Sequence, residues 1–198
     1  MKILTVSDRV EPILNDSFDA SKFSGIDLIF SCGDLPPEYL TLITTRVQAP
    51  LFFVKGNHDI RYDLKPPDGC MNIHGKLVQF QGFNILGLEG SRWYNGGPNQ
   101  YTERQMRRIV RNLKIGIWWK GGIDLVISHA PPRHIHDAED RCHKGFKSFQ
   151  WLINRYAPKY FIHGHIHAHF DNFNDRVTDI DNTKVVNSYG YTILEINI

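Results

Sequence analysis

The sequence predicts an α/β fold, and three observations carry that reading. Short apolar runs rich in β-branched residues recur along the chain, segments with helical spacing fall between several of them, and five of the runs end in polar loops. Ile3 to Val6 runs into Ser7-Asp8, Ile26 to Phe30 into Cys32-Gly33-Asp34, and Leu51 to Val54 into Gly56-Asn57-His58-Asp59. Ile123 to Ile127 runs into Ser128-His129, and Tyr160 to Ile162 into His163-Gly164-His165-Ile166-His167. Continuous apolar runs of this length suit strands buried on both faces.

The helical segments follow from spacing and end signals. Pro36 to Val47 reads as a helix with proline near its start. Thr102 to Lys114 opens on a capping-box pair, Thr102 and Gln105, and Met106, Ile109, Val110 and Leu113 form one apolar stripe. Phe146 to Tyr156 places Phe149, Leu152, Ile153 and Tyr156 on one face, with Pro158 just beyond its end. Lys76 to Phe80 and Phe83 to Leu88 read as a hairpin around Gln81-Gly82. Arg176 to Ile198 reads as two or three short strands. No repeat, low-complexity tract or linker divides the chain, so residues 1–198 are expected to form a single domain.

Composition narrows the function. A hydrophobic fraction of 41% supports a real core. The net charge is 23 − 21 = +2, which argues against a partner bound by bulk electrostatics, so nucleic acid is not favoured. Arg104, Arg107, Arg108, Arg111 and Lys114 cluster on one predicted helix and read as its solvated face. No apolar run approaches the roughly 20 residues of a membrane helix, and no membrane partner is expected. Cys32, Cys70 and Cys142 are odd in number and lack a disulfide-type spacing, which points to a reducing cytoplasm.

The strongest signal is where the polar residues stand. Each of five apolar runs hands over to a carboxylate, an amide or an imidazole at its carboxyl end, the edge where open α/β sheets bind ligands. Turn chemistry accounts for Gly33-Asp34 or Gly56-Asn57 taken separately, but not for His129, His165 and His167. Oxygen and imidazole donors without an obvious thiolate suit Mn, Fe, Zn, Ni or Co. A carboxylate such as Asp34 can bridge two cations, and paired metals activate water and clamp phosphoryl oxygens.

These blocks resemble the calcineurin-like metallophosphoesterase superfamily, whose ordered motifs are Asp-x-His, Gly-Asp, Gly-Asn-His-Asp/Glu, a strand-ending His, and Gly-His-x-His. Gly33-Asp34, Gly56-Asn57-His58-Asp59, Ser128-His129 and Gly164-His165-Ile166-His167 match in order, over about Ile3 to Gly190. The resemblance implies a four-layer α-β-β-α sandwich with two mixed β-sheets. It implies two divalent transition-metal ions, most simply Mn, Fe, Zn or Ni. Asp34 would bridge them, Asp8 and His167 would complete the first site, and Asn57, His129 and His165 the second. His58 would contact phosphate or donate a proton to the leaving oxygen, and Asp59 would orient His58 by hydrogen bonding. One block departs: the chain reads Asp8-Arg9-Val10, so the first site lacks an imidazole and is expected to fill more weakly.

Around this set, His136 and His143 are candidate substrate-binding residues in a segment dense in ionisable groups, and Arg9 joins them beside Asp8. His134 carries the same two readings, ligand or solvated loop, and Cys142 reads as a structural thiol. The aromatic loop Ser91 to Tyr101 reads as the cover of a satellite core rather than a flap over the site. Asn187 to Gly190 loosely resembles a polar turn that the family places near its metals. The expected activity is hydrolysis of a small phosphate ester or nucleotide, with metal-bound hydroxide attacking phosphorus. The alternatives are a nuclease, and a non-catalytic module that senses metal or phosphate.

Overall fold

In the first strand, β1 (Lys2–Ser7), neighbouring side chains enter different cores, and this alternation sets the architecture. Ile3 packs with Leu28, Phe30, Leu125, Ile127, Ile162 and Val186, whereas Leu4 and Val6 pack with Ile29, Leu40, Ile43 and Leu51. A strand buried on both faces needs a layer on either side, as the continuous apolar run predicted. The computed structural model describes residues 1–196.

The chain continues through β2 (Leu28–Ser31), α1 (Pro37–Val47), β3 (Leu51–Phe53) and β4 (Cys70–Asn72). The hairpin β5 (Leu77–Phe80) and β6 (Phe83–Leu88) follows, then the short pair β7 (Ser91–Arg92) and β8 (Gln100–Tyr101). Next come α2 (Glu103–Asn112), α3 (Lys114–Trp119), β9 (Leu125–Ser128), α4 (Lys147–Tyr156) and β10 (Tyr160–His163). The described chain ends on β11 (Val177–Ile180), β12 (Thr183–Asn187) and β13 (Gly190–Glu195), three short strands where two or three were expected.

These strands build two mixed sheets, ordered β13-β1-β2-β3-β4 and β11-β12-β10-β9-β6-β5. β1, β2, β3 and β4 run parallel, and β13 pairs antiparallel to β1. In the second sheet β12, β10, β9 and β6 run parallel, flanked by antiparallel β11 and β5. One core lies between the sheets, the second under α2, α3 and α4, and the third under α1. The result is the expected four-layer sandwich. The expected helix Thr102 to Lys114 is two helices. The Thr102–Gln105 capping box forms, but α2 ends at Asn112 and α3 starts after Leu113. The break lets Ile117 join the core under Met106 and Val110.

Because the inter-sheet core is shared by both sheets, Ile127→Ala should cost about 2–5 kcal/mol of unfolding free energy, measured by denaturant titration. A loss below about 1 kcal/mol would contradict close packing of the two sheets.

Candidate metal centre

The parallel strands of both sheets end at one edge, and their last turns carry the polar residues. Three of those residues hold a left-handed backbone: Asp8 (φ 62), Asp34 (φ 57) and His165 (φ 67). Such conformations are uncommon outside glycine, and Asp tolerates them better than most residues. Glycines make room beside them. A Cβ on Gly56 would collide with the Asp34 carboxylate, and one on Gly164 would lie 2.6 Å from Asp8 Oδ2. The loops are therefore packed around carboxylates, and larger residues at these glycines would push the carboxylates away.

The donor atoms converge. Donor atoms of Asp34, His129 and His165 lie within 4.8 Å of one another. His129 is fully buried, and its Nε2 stands 3.0 Å from Asn57 Oδ1 and 3.4 Å from Asp34 Oδ2. Its Nδ1 lies 2.8 Å from the Cys32 carbonyl oxygen, which can only accept, so Nδ1–H donates there. His165 is oriented in the same way: Nε2–H donates to the Cys142 carbonyl at 2.9 Å, which leaves Nδ1 with its lone pair. Asp8 Oδ2 accepts the His165 backbone N–H at 2.9 Å, while Asp8 Oδ1 is buried without a hydrogen-bond partner. His167 Nε2 approaches that oxygen only to 3.5 Å, and its ring packs against Tyr189.

A buried, unpartnered carboxylate oxygen is costly unless a cation meets it. This observation tests the fit of a divalent ion, and the residues pass. Burial opposes ionisation of Asp34, yet the His129 charge and hydrogen bond outweigh it and lower its pKa to about 2. Burial also opposes a charge on His129, but Asp34 and Asp8 push its pKa up to about 9. A proton on Nε2 thus does what a divalent ion would do there, holding acceptor oxygens together. His165 is the opposite case: burial and the His129 charge lower its pKa to about 4, so it is a neutral, ready ligand.

Other sequence expectations meet the structure differently. His58 projects from the Gly56-Asn57 turn with a side chain 75% exposed, Nε2 4.0 Å from Asp34 Oδ2. Asp59 does not hydrogen-bond the His58 ring. Its two oxygens accept the backbone N–H groups of Asp34 (2.8 Å), Leu35 (3.1 Å) and Gly56 (2.7 Å). A short carboxylate on a turn finds nearby amides more easily than a ring that points to solvent. Asp59 therefore ties the Asp34 and Gly56 loops together instead of orienting His58. Burial and the neighbouring Asp34 charge push its pKa up to about 6, and the amide bonds pull against that shift.

His136 is internal. The His163 Nδ1–H donates to the Gly164 carbonyl, so His163 Nε2 accepts from His136 Nδ1, and His136 Nε2 accepts the Thr178 hydroxyl. Both ring nitrogens of His136 are thereby used, and its expected substrate contact gives way to a structural one. His143 packs its ring 5.1 Å from His165, and Asp140 holds its Nδ1. Arg9 is exposed and faces Glu11 at 3.4 Å. His134 donates its backbone N–H to Asp137, in a loop stapled by Arg133 to Asp137 and Glu139.

The site also gathers residues that spacing did not mark. Asn57 Nδ2 donates to Tyr94 Oη at 3.3 Å, and Asn99 Nδ2 to the Gly56 carbonyl at 3.0 Å. The aromatic loop is therefore pinned to a ligand turn, not merely laid over a satellite core. Cys142, His143 and His165 form a second close donor set. Burial and Asp140 raise the Cys142 thiol pKa, so the sulfur stays protonated. Asn187 Nδ2 donates to the Ile166 carbonyl, bracing the His165–His167 turn.

Two outcomes follow. Asp59→Ala leaves three N–H groups without their acceptor and should cost about 1–3 kcal/mol in stability while weakening metal retention. Unchanged melting and metal content would remove its tying role. For His129, the proton held below about pH 9 must leave before a cation can take its place. Metal affinity should therefore climb as pH rises toward about 9 and level off above it, with proton release visible by calorimetry in buffers of different ionisation enthalpy. A flat profile with no proton release would overturn that assignment.

A family model of calcineurin-like phosphoesterases matches residues 7–169. No curated protein sequence matches the chain significantly. One crystal structure aligns with a TM-score of 0.70 at 15% identity, over 98% of this chain and 94% of that chain. TT1561 of Thermus thermophilus aligns with a TM-score of 0.65 at 16% identity, over 96% of this chain and 89% of its own. GAP50, the anchor in the inner membrane complex of Plasmodium, aligns with a TM-score of 0.56 at 13% identity, over 94% of this chain and 70% of its own. At these identities the structural likeness speaks for the fold alone. The family match spans every loop from Asp8 to His167, and this chain belongs to the calcineurin-like phosphoesterase family.

Proposed function

We propose that the chain hydrolyses small phosphate esters at a centre of divalent metal ions. The observation that carries this reading is the pairing of an unpartnered buried oxygen, Asp8 Oδ1, with the convergence of Asn57, Asp34 and His129 on one point. Asp8, Asp34 and His167 would hold one ion, and Asp34, Asn57, His129 and His165 another. When bound, such ions supply activated water and neutralise charge on phosphoryl oxygens. Mn, Fe, Zn and Ni all suit these donors.

The protein residues do the rest. Hydrogen bonds from His129 to Cys32 and from His165 to Cys142 fix both rings before any ligand arrives, which removes reorganisation from the reaction. His58, exposed at the rim beside Asp34, is placed to meet the phosphoryl group or to hand a proton to the leaving oxygen. Tyr94 accepts a hydrogen bond from Asn57, the residue before His58. Val10, 38% exposed, stands where the family carries an imidazole, so the Asp8 site should be the weaker of the two.

Metal counting together with a panel of chromogenic mono- and diesters tests this function. Bound metal and ester hydrolysis are expected together, and Asn57→Ala should lower both. A protein that binds metal and turns over no ester would instead be the regulatory module. His58→Ala should reduce turnover about 10²–10⁴-fold for esters with poor leaving groups and far less for nitrophenyl esters. Equal losses would assign His58 to phosphate binding rather than proton donation.

A further inference from the structure

The outer helical layer carries an apolar surface that the fold leaves uncovered. On α3, Ile115, Trp118 and Trp119 are 80%, 78% and 84% exposed, although Ile117 of the same helix is buried. Trp151 of α4 is 40% exposed and continues the patch, with Lys114 Nζ 5.0 Å from its ring centroid. Scattered apolar side chains need no explanation, but three large ones on a six-residue helix do. They add nothing to the core, and a contiguous exposed set of this size marks an interaction surface.

The charge around the patch is predominantly basic. Residues 103–120 hold six basic side chains and one acidic one, 6 − 1 = +5. The whole chain is +2, so everything else sums to 2 − 5 = −3. Among the described residues, no salt bridge engages Arg104, Arg107, Arg108, Arg111, Lys114 or Lys120. The modest total charge conceals a strongly basic face.

We infer that this face docks on an anionic phospholipid surface. Tryptophan has an apolar body and one polar N–H, which suits the level of the lipid headgroups. Unpaired Lys and Arg around it suit an anionic leaflet. A short helix with such a face lies in the interface plane, so the lack of any helix able to cross a membrane among the described residues does not oppose this. A second copy of the chain is a poorer occupant, because a symmetric contact would bring two +5 faces together. Nucleic acid meets the charge and finds rings in Trp118 and Trp119 but leaves Ile115 uncovered, whereas a lipid interface takes all three. The absence of a membrane partner was the sequence expectation, and it rested on the missing span, which leaves an in-plane contact open. Through Gly121 and Gly122, α3 leads to the start of β9, and His129 follows the other end of that strand. Docking there would leave the metal centre facing away from the lipid. The inference stands independently of the proposed hydrolysis.

The test is co-sedimentation of the full chain with vesicles of phosphatidylcholine alone and of phosphatidylcholine mixed with phosphatidylglycerol. Binding to the anionic vesicles only, weakened by added salt and accompanied by a blue shift of tryptophan emission, is expected. Trp118→Ser with Trp119→Ser, and separately Lys114→Glu with Lys120→Glu, should each lower that binding about tenfold or more. Melting temperatures near that of the unaltered chain would show that both variants fold, and their side chains are exposed enough to be replaced. Three results would overturn the inference: no preference for anionic vesicles, unchanged binding in both folded variants, or no vesicle binding alongside dimers by light scattering or capture of an oligonucleotide.

Discussion

Buried negative charge at the strand ends governs the rest of this molecule. Parallel strands from two sheets deliver Asp8 and Asp34 to a common edge, and the surrounding loops close over them so that Asp8 Oδ1 is buried without a partner. Carboxylates placed this way repel each other and forgo hydration, which is tolerable only if positive charge is drawn in. The raised pKa of His129 and the raised pKa of His167 are responses to that field, the latter through its contact with Asp8. Left-handed backbone at Asp8, Asp34 and His165 is a second response. It turns side chains inward at the end of a strand, at a conformational cost that the flanking glycines and backbone bonds absorb.

The same constraint explains which parts were legible in the sequence. Strands buried on two faces leave continuous apolar runs, and the candidate ligands at their ends interrupt those runs with His, Asn or Asp. Asp34, Asn57, His129 and His165 could therefore be read as a set, and the structure brings their donor atoms to one place. The three-dimensional partners of those residues leave no such trace. The Cys32 and Cys142 carbonyls that fix the imidazoles are backbone atoms, which any residue would supply. Tyr94 reaches Asn57 across 37 positions through a loop whose course has no period.

Asp59 and His136 show the complementary failure, in which a residue has the expected type and neighbourhood but a different partner. Asp59 follows a histidine, so orientation of that ring was the natural reading. A carboxylate that can reach three amides on two converging loops gains more there than from a solvent-facing ring. His136 sits in a polar segment, yet Arg133 organises that segment from within by pairing with Asp137 and Glu139. His136 is turned inward to His163, where burial lowers the pKa of both rings and keeps them neutral. The break in the α2–α3 region was unreadable for a related reason. Ile115, Trp118 and Trp119 look like core residues by type, and only the fold shows that Ile117 alone turns inward.

The two halves of the proposed metal centre are not built alike. On the Asn57, His129 and His165 side, the donors are buried and both imidazoles are held by backbone carbonyls, so little ordering remains for an ion to impose. On the other side only Asp8 is locked, by the His165 amide. His167 is 60% exposed at the side chain, lies 3.5 Å from Asp8 Oδ1 and rests on Tyr189, and Val10 offers no further donor. An ion there would have to order an exposed ring and would meet fewer donors, with Asp34 serving both halves. A weaker Asp8 half, as proposed, would thus follow from preorganisation as well as from the missing imidazole. A histidine at position 10 would supply a ligand without making His167 any less free.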